Sequence, residues 1–162
     1  MLITKASQKA ALTFYKSLTF GWEEESPEPK ASSNLGRPAL HRAVSAGKES
    51  VCRLLLERGA DVRKQDNNGQ TPLHLAVDIG SEGIIKLFLK EGNRNVKDCF
   101  GRIALFNAVG GKNENVIRLL LESGIDINCK DSLGEVALHV AVESGVESLV
   151  LLLLEHGADV DA

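Results

Sequence analysis

The chain has 162 residues, with 19 Lys and Arg against 22 Asp and Glu, and so a net charge of −3. A nucleic-acid groove or an anionic membrane surface would want a basic stripe, and a chain this close to neutral disfavours both partners. Its longest apolar run, residues 149–154, suits a helix interior and falls far short of the roughly 18 residues of a membrane span.

Residues 1–20 carry Leu2, Ile3, Ala6, Ala10, Phe14 and Leu18 at three- and four-residue steps, with Lys5, Lys9 and Lys16 among them. That spacing predicts an amphipathic helix that caps the open end of whatever follows. A targeting or surface-binding helix is the alternative, weakened by the absence of arginine. Residues 21–33 then bring Trp22, two prolines, acidic residues and serines with no apolar periodicity, which reads as an acidic linker.

From residue 34 one phrase recurs four times. It reads Gly36-Arg-Pro-Ala-Leu-His-Arg-Ala43, Gly69-Gln-Thr-Pro-Leu-His-Leu-Ala76, Gly101-Arg-Ile-Ala-Leu-Phe-Asn-Ala108 and Gly134-Glu-Val-Ala-Leu-His-Val-Ala141, with opening glycines 33, 32 and 33 residues apart. A second glycine follows each by 23 residues, at Gly59, Gly92, Gly124 and Gly157. Such a period signals stacked units, none of which can bury its apolar face without a neighbour.

Each unit begins with a short helix, ended at Gly47, Gly80 and Gly145 by a residue that accepts a left-handed conformation. A second helix follows, with apolar residues in register, as in Val51, Ile84, Val116 and Leu149. Polar turns, of which Asp66-Asn-Asn-Gly69 is the clearest, then predict hairpin-like fingers between units.

These residues resemble the ankyrin repeat, whose pattern is a glycine, Thr-Pro-Leu-His, an alanine, two antiparallel helices and Gly-Ala-Asp-Val. The second unit, with Thr71, Pro72, Leu73 and His74, matches best. The resemblance implies an all-α solenoid of helix-turn-helix units with finger loops, in four repeats at 34–66, 67–98, 99–131 and 132–162. The departures are specific. Phe106 replaces the histidine in the third repeat, and Lys112 replaces its helix-ending glycine, which predicts a shifted, looser turn near Gly110 and Gly111. The second repeat is one residue short between Gly92 and Gly101, so its finger should differ in shape.

No residue set points to catalysis, a cofactor or a metal. His41, His74 and His139 recur at the repeat period, and the resemblance makes them hydrogen-bonded struts. His156, beside Gly157, suits a helix C-terminus. Cys52, Cys99 and Cys129 form no CxxC pair and, with the four histidines, fit no zinc spacing. So sparse a cysteine usage, without a secretory signal, fits a reducing compartment, cytoplasmic or nuclear.

The chemistry expected is therefore recognition. The resemblance implies a concave protein-binding face of finger tips and first helices, here Asn67, Asn68, Gln70, Asp78, Ile79, Phe100, Arg102, Leu133 and Glu135. Phe100 and Leu133 stand where the clearest turn has Asn68, and an apolar tip covers little of its own core. Phe100 is expected at the centre of a partner site, unless it folds back on the shortened finger. A small-molecule or enzymatic groove between the N-terminal segment and the repeats, lined by Trp22 and Phe106, is the alternative. At the far end, Leu151 replaces the Arg53, Lys86 and Arg118 of earlier repeats. Truncation of a longer protein, self-association through the last repeat or a fraying end would each account for it.

Overall fold

A computed structural model describes residues 37–162, so the expected capping helix (1–20), the acidic linker (21–33) and the first three residues of the first repeat lie outside the described residues. The described chain is all-α and forms four helix pairs: α1 (Ala39–Ser45) with α2 (Glu49–Glu57), α3 (Pro72–Ile79) with α4 (Glu82–Lys90), α5 (Ala104–Gly110) with α6 (Glu114–Glu122), and α7 (Ala137–Glu143) with α8 (Glu147–Glu155). Each second helix opens on a glutamate, Glu49, Glu82, Glu114 or Glu147, whose charge complements the helix N-terminus. At α6 the Asn113 side chain also accepts the Val116 N–H at 3.2 Å.

The first helices pack on one another in a row, α1 on α3, α3 on α5 and α5 on α7, and the second helices meet less closely in a parallel row. Ala43, Ala76, Ala108 and Ala141 are no more than 1% exposed, and so small a side chain lets the first helices approach one another. The first-helix row is thus the tighter of the two. The second helices fill the gaps with Ile84, Ile85 and Phe88, then Val116, Ile117 and Leu120, then Leu149, Leu152 and Leu153, all buried. No repeat closes its own core: Val44, Val77 and Val109, at one position near the end of the first helix, are each 4% exposed or less, while Val142 of the last repeat is 60% exposed.

The turn at Lys112 corrects the expectation of a shift. Lys112 itself takes the left-handed conformation, φ +55°, in register with Gly47, Gly80 and Gly145. Its N–H donates to the Val109 carbonyl at 3.0 Å, as those of Gly47, Gly80 and Gly145 donate to Val44, Val77 and Val142. The hydrogen-bond pattern of the turn outweighs the strain of a side chain there, which costs on the order of 1 kcal/mol.

Candidate functional site

Each finger is built round one aspartate. The Oδ1 of Asp66 accepts the N–H groups of Asn68 and Gln70, that of Asp98 those of Phe100 and Arg102, and that of Asp131 those of Leu133 and Glu135, all at 2.8–3.0 Å. The aspartate N–H donates in turn to the carbonyl of Gln70, Arg102 or Glu135. With its N–H drawn inward, the second residue after the aspartate projects its side chain from the tip. That residue is Asn68, Phe100 or Leu133.

Neighbouring fingers are tied together through their backbones. The Cys99 N–H donates to the Asn68 carbonyl at 3.2 Å and the Ser132 N–H to the Phe100 carbonyl at 2.9 Å. The contact is close enough to demand glycine: a Cβ on Gly69, φ +71°, would stand 2.5 Å from the Cys99 nitrogen. Gln65 Nε2 also bridges two fingers, donating to the carbonyls of Gly69 and Lys97.

The repeat histidines join helices to fingers. His74 Nδ1 accepts the Thr71 N–H at 3.2 Å, which leaves the proton on Nε2 to donate to the Arg102 carbonyl at 3.0 Å. His41 Nε2 donates likewise to the Gln70 carbonyl at 2.8 Å. Its Nδ1 is buried with no partner, because Pro38 stands where Thr71 supplies an N–H. Burial pushes the pKa of both histidines down, partly offset by the carbonyl each one faces. Neither has a free nitrogen directed at solvent for acid–base work. His156 Nδ1 lies 2.8 Å from the Leu152 carbonyl, at the end of α8. Cys52 is buried, which pushes its thiol up to about 12. Cys129 is also buried, Cys99 is exposed, and no cluster among the described residues could hold a metal ion. None of the described helices is long and apolar enough to cross a membrane.

The expected surface residues fall into two groups. Ile79 is 49%, Phe100 58% and Leu133 84% exposed, so Phe100 does not fold back onto the shortened finger. The Arg102 guanidinium lies 4.7 Å from the centre of the Phe100 ring while Nη2 reaches Asp98 Oδ2 at 3.3 Å. Asp98, itself 7% exposed, thereby fixes a cation over the ring and holds the aromatic face in place. Asn67 and Asn68 are exposed, and Gln70, Arg102 and Glu135 are half-buried. Asp78 is exposed but accepts from Asn107 Nδ2 of the next repeat at 2.8 Å, so it also serves the stack.

A family profile described as Ankyrin repeats (3 copies) matches residues 3–97 and 79–162. The chain belongs to the ankyrin-repeat family. Ankyrin repeats generally mediate protein–protein interaction, and the family is typically non-enzymatic. No curated protein matches the chain. Two features of this ankyrin stack escaped the sequence reading. Val142 and Val160 are exposed at the last end, 60% and 70%, where the signal was their equivalence to the buried Val77 and Val62. A groove beneath the second finger is lined by Arg63 and Arg94, and its signal was Arg94, which stands where the other repeats have Asp61, Asp126 and Asp159.

Proposed function

We propose that this chain binds a protein partner across its finger tips and first helices, with Phe100 as the central anchor. The observation that carries this reading is an aromatic side chain more than half exposed at a rigid tip, with a guanidinium fixed over one face. Aromatic and arginine side chains dominate the energetics of interfaces, and a tip already held by an aspartate turn and the next finger loses little freedom on binding. Ile79 and Leu133, both exposed apolar side chains, are the further contacts this reading assigns to the partner. The test is capture of partners from the native cell with wild-type chain and with Phe100→Ala. Phe100→Ala should lower the affinity of the captured protein by at least about tenfold with an unchanged thermal unfolding midpoint. Equal affinity would remove Phe100 from the site.

The alternative, a small-molecule or catalytic groove shared with the N-terminal segment, has less support. His41 and His74 are occupied by backbone carbonyls, and Phe106 is only 4% exposed. A second reading, self-association through the last repeat, is favoured by the end face of α7 more than by Leu151. Leu151 is 59% exposed, but at the outer position where Arg53, Lys86 and Arg118 are exposed even beside a neighbour. Val142 is exposed where its three counterparts are buried by one. Sedimentation of Val142→Glu beside Leu151→Lys separates the two faces, since only the variant on the contacting face should shift a dimer toward monomer.

A further inference from the structure

The loops that lead from each second helix into the following finger share one device, and the second repeat has lost it. In the other three repeats an aspartate opens a tight turn. Asp61 Oδ1 accepts the Arg63 N–H at 2.8 Å, Asp126 Oδ1 the Asn128 N–H at 3.1 Å, and Asp159 Oδ1 the Asp161 N–H at 3.0 Å. The turn is closed further by the Lys64 N–H on the Asp61 carbonyl and the Cys129 N–H on the Asp126 carbonyl. In the second repeat Arg94 occupies the aspartate position and one residue is missing before Gly101. Neither bond has a counterpart there among the described residues, and residues 94 and 95 form an open bend.

The space left is an open groove of about 430 Å³ lined by Arg63, Gly92, Arg94, Asn95 and Val96. Arg63 reaches it from the preceding loop: its Nη2 lies 3.9 Å from where a Cβ on Gly92 would stand, so a side chain at that position would meet the guanidinium. Asn95 is anchored, its Oδ1 accepting the Asp126 N–H at 2.9 Å, which leaves its Nδ2 as a further donor. Both arginines are exposed, and neither guanidinium has an ion pair or hydrogen bond among the described residues. Asp61 and Asp126, the carboxylates of the flanking loops, each hold their own turn instead. A charge reversal at one position of a repeated turn, together with a deletion, thus converts a closed acidic loop into an open groove with two cations and an amide.

We propose that this groove binds a phosphoryl-type dianion between the guanidiniums of Arg63 and Arg94. One arginine suffices for a carboxylate, whereas two forks and an amide match the three oxygens and double charge of a phosphoryl group. The site lies at the base of the second finger and is independent of the Phe100 surface.

The test is titration of the full chain with inorganic phosphate, phosphoserine and acetate, followed by NMR of the arginine Nε–H and loop amides. Phosphate and phosphoserine should both give saturable shifts at Arg63, Arg94 and Asn95 with a dissociation constant on the order of 1 mM. Acetate should not. Tighter binding of phosphoserine than of phosphate identifies a phosphorylated side chain as the source, and the reverse order a free anion. Arg94→Asp restores the aspartate of the other repeats, so it should weaken phosphate at least about tenfold without lowering the unfolding midpoint, an outcome no structural role for Arg94 would give. Arg63→Gln provides the same binding test without touching the loop backbone. Shifts spread over all surface cations, acetate binding equal to phosphate, or full phosphate binding by Arg94→Asp would overturn the proposal.

Discussion

The boundary between the second and third repeats and the outer face of the fourth, the last described repeat, present the same residue pattern in two environments. At the boundary Val77 is 4% exposed, His74 Nε2 donates to the Arg102 carbonyl and Gly69 abuts the Cys99 backbone. At the end Val142 is 60% exposed, His139 keeps only the Val136 N–H on its Nδ1, and a Cβ on Gly134 would meet nothing within 4 Å. The comparison teaches that burial, histidine bonding and the demand for glycine are supplied by the neighbour. The repeat's own sequence only prepares for them.

Substitutions at paired positions sharpen the contrast. The largest difference is expected at the valines: Val77→Asp leaves an unpaired charge in the core and should cost about 4 kcal/mol or more, enough to unfold the chain, whereas Val142→Asp should stay within about 0.5 kcal/mol. Chemical denaturation of the two proteins checks this. Next come the finger glycines. Gly69→Ala and Gly134→Ala both force a side chain into a left-handed backbone at roughly 1 kcal/mol. Only Gly69→Ala also pushes against the next finger, so it should be the more destabilising by at least about 1 kcal/mol.

A pH series gives the third test. His41 and His74 have folded pKa values below the ordinary ~6.5, so the unfolded chain binds protons first as pH falls. Their contribution to stability is full above that value and declines below it until the folded histidines titrate. The double variant His41→Gln, His74→Gln should lose that decline in a plot of unfolding free energy between pH 7 and pH 5. The smallest effect is at Lys112, where Lys112→Gly relieves the left-handed strain and should raise stability by about 1 kcal/mol or less in the same denaturation assay.

Most of the helical stack was legible because the period set a register that four copies enforce together. The stripe of Val51, Ile84, Val116 and Leu149 is buried as the spacing implied. The turn at Lys112 was misread because local conformational preference favoured a shift, and the neighbouring hydrogen-bond frame overrode it. The candidate surface was partly legible: apolar tips stand out against Asn68, but the hold of Arg102 on Phe100 depends on geometry within the finger. The groove at Arg63 and Arg94 joins two loops from different repeats, and its shape follows from how those loops stack.

Native-state hydrogen exchange tests most directly the claim that neighbours supply one another's stability. Amides of α3 and α6, enclosed on both sides, should exchange at close to the global unfolding free energy. Those of α8 should exchange through a cheaper opening of the last repeat alone. Equal protection of α8 and α3, with all amides lost in one concerted step, would contradict the account.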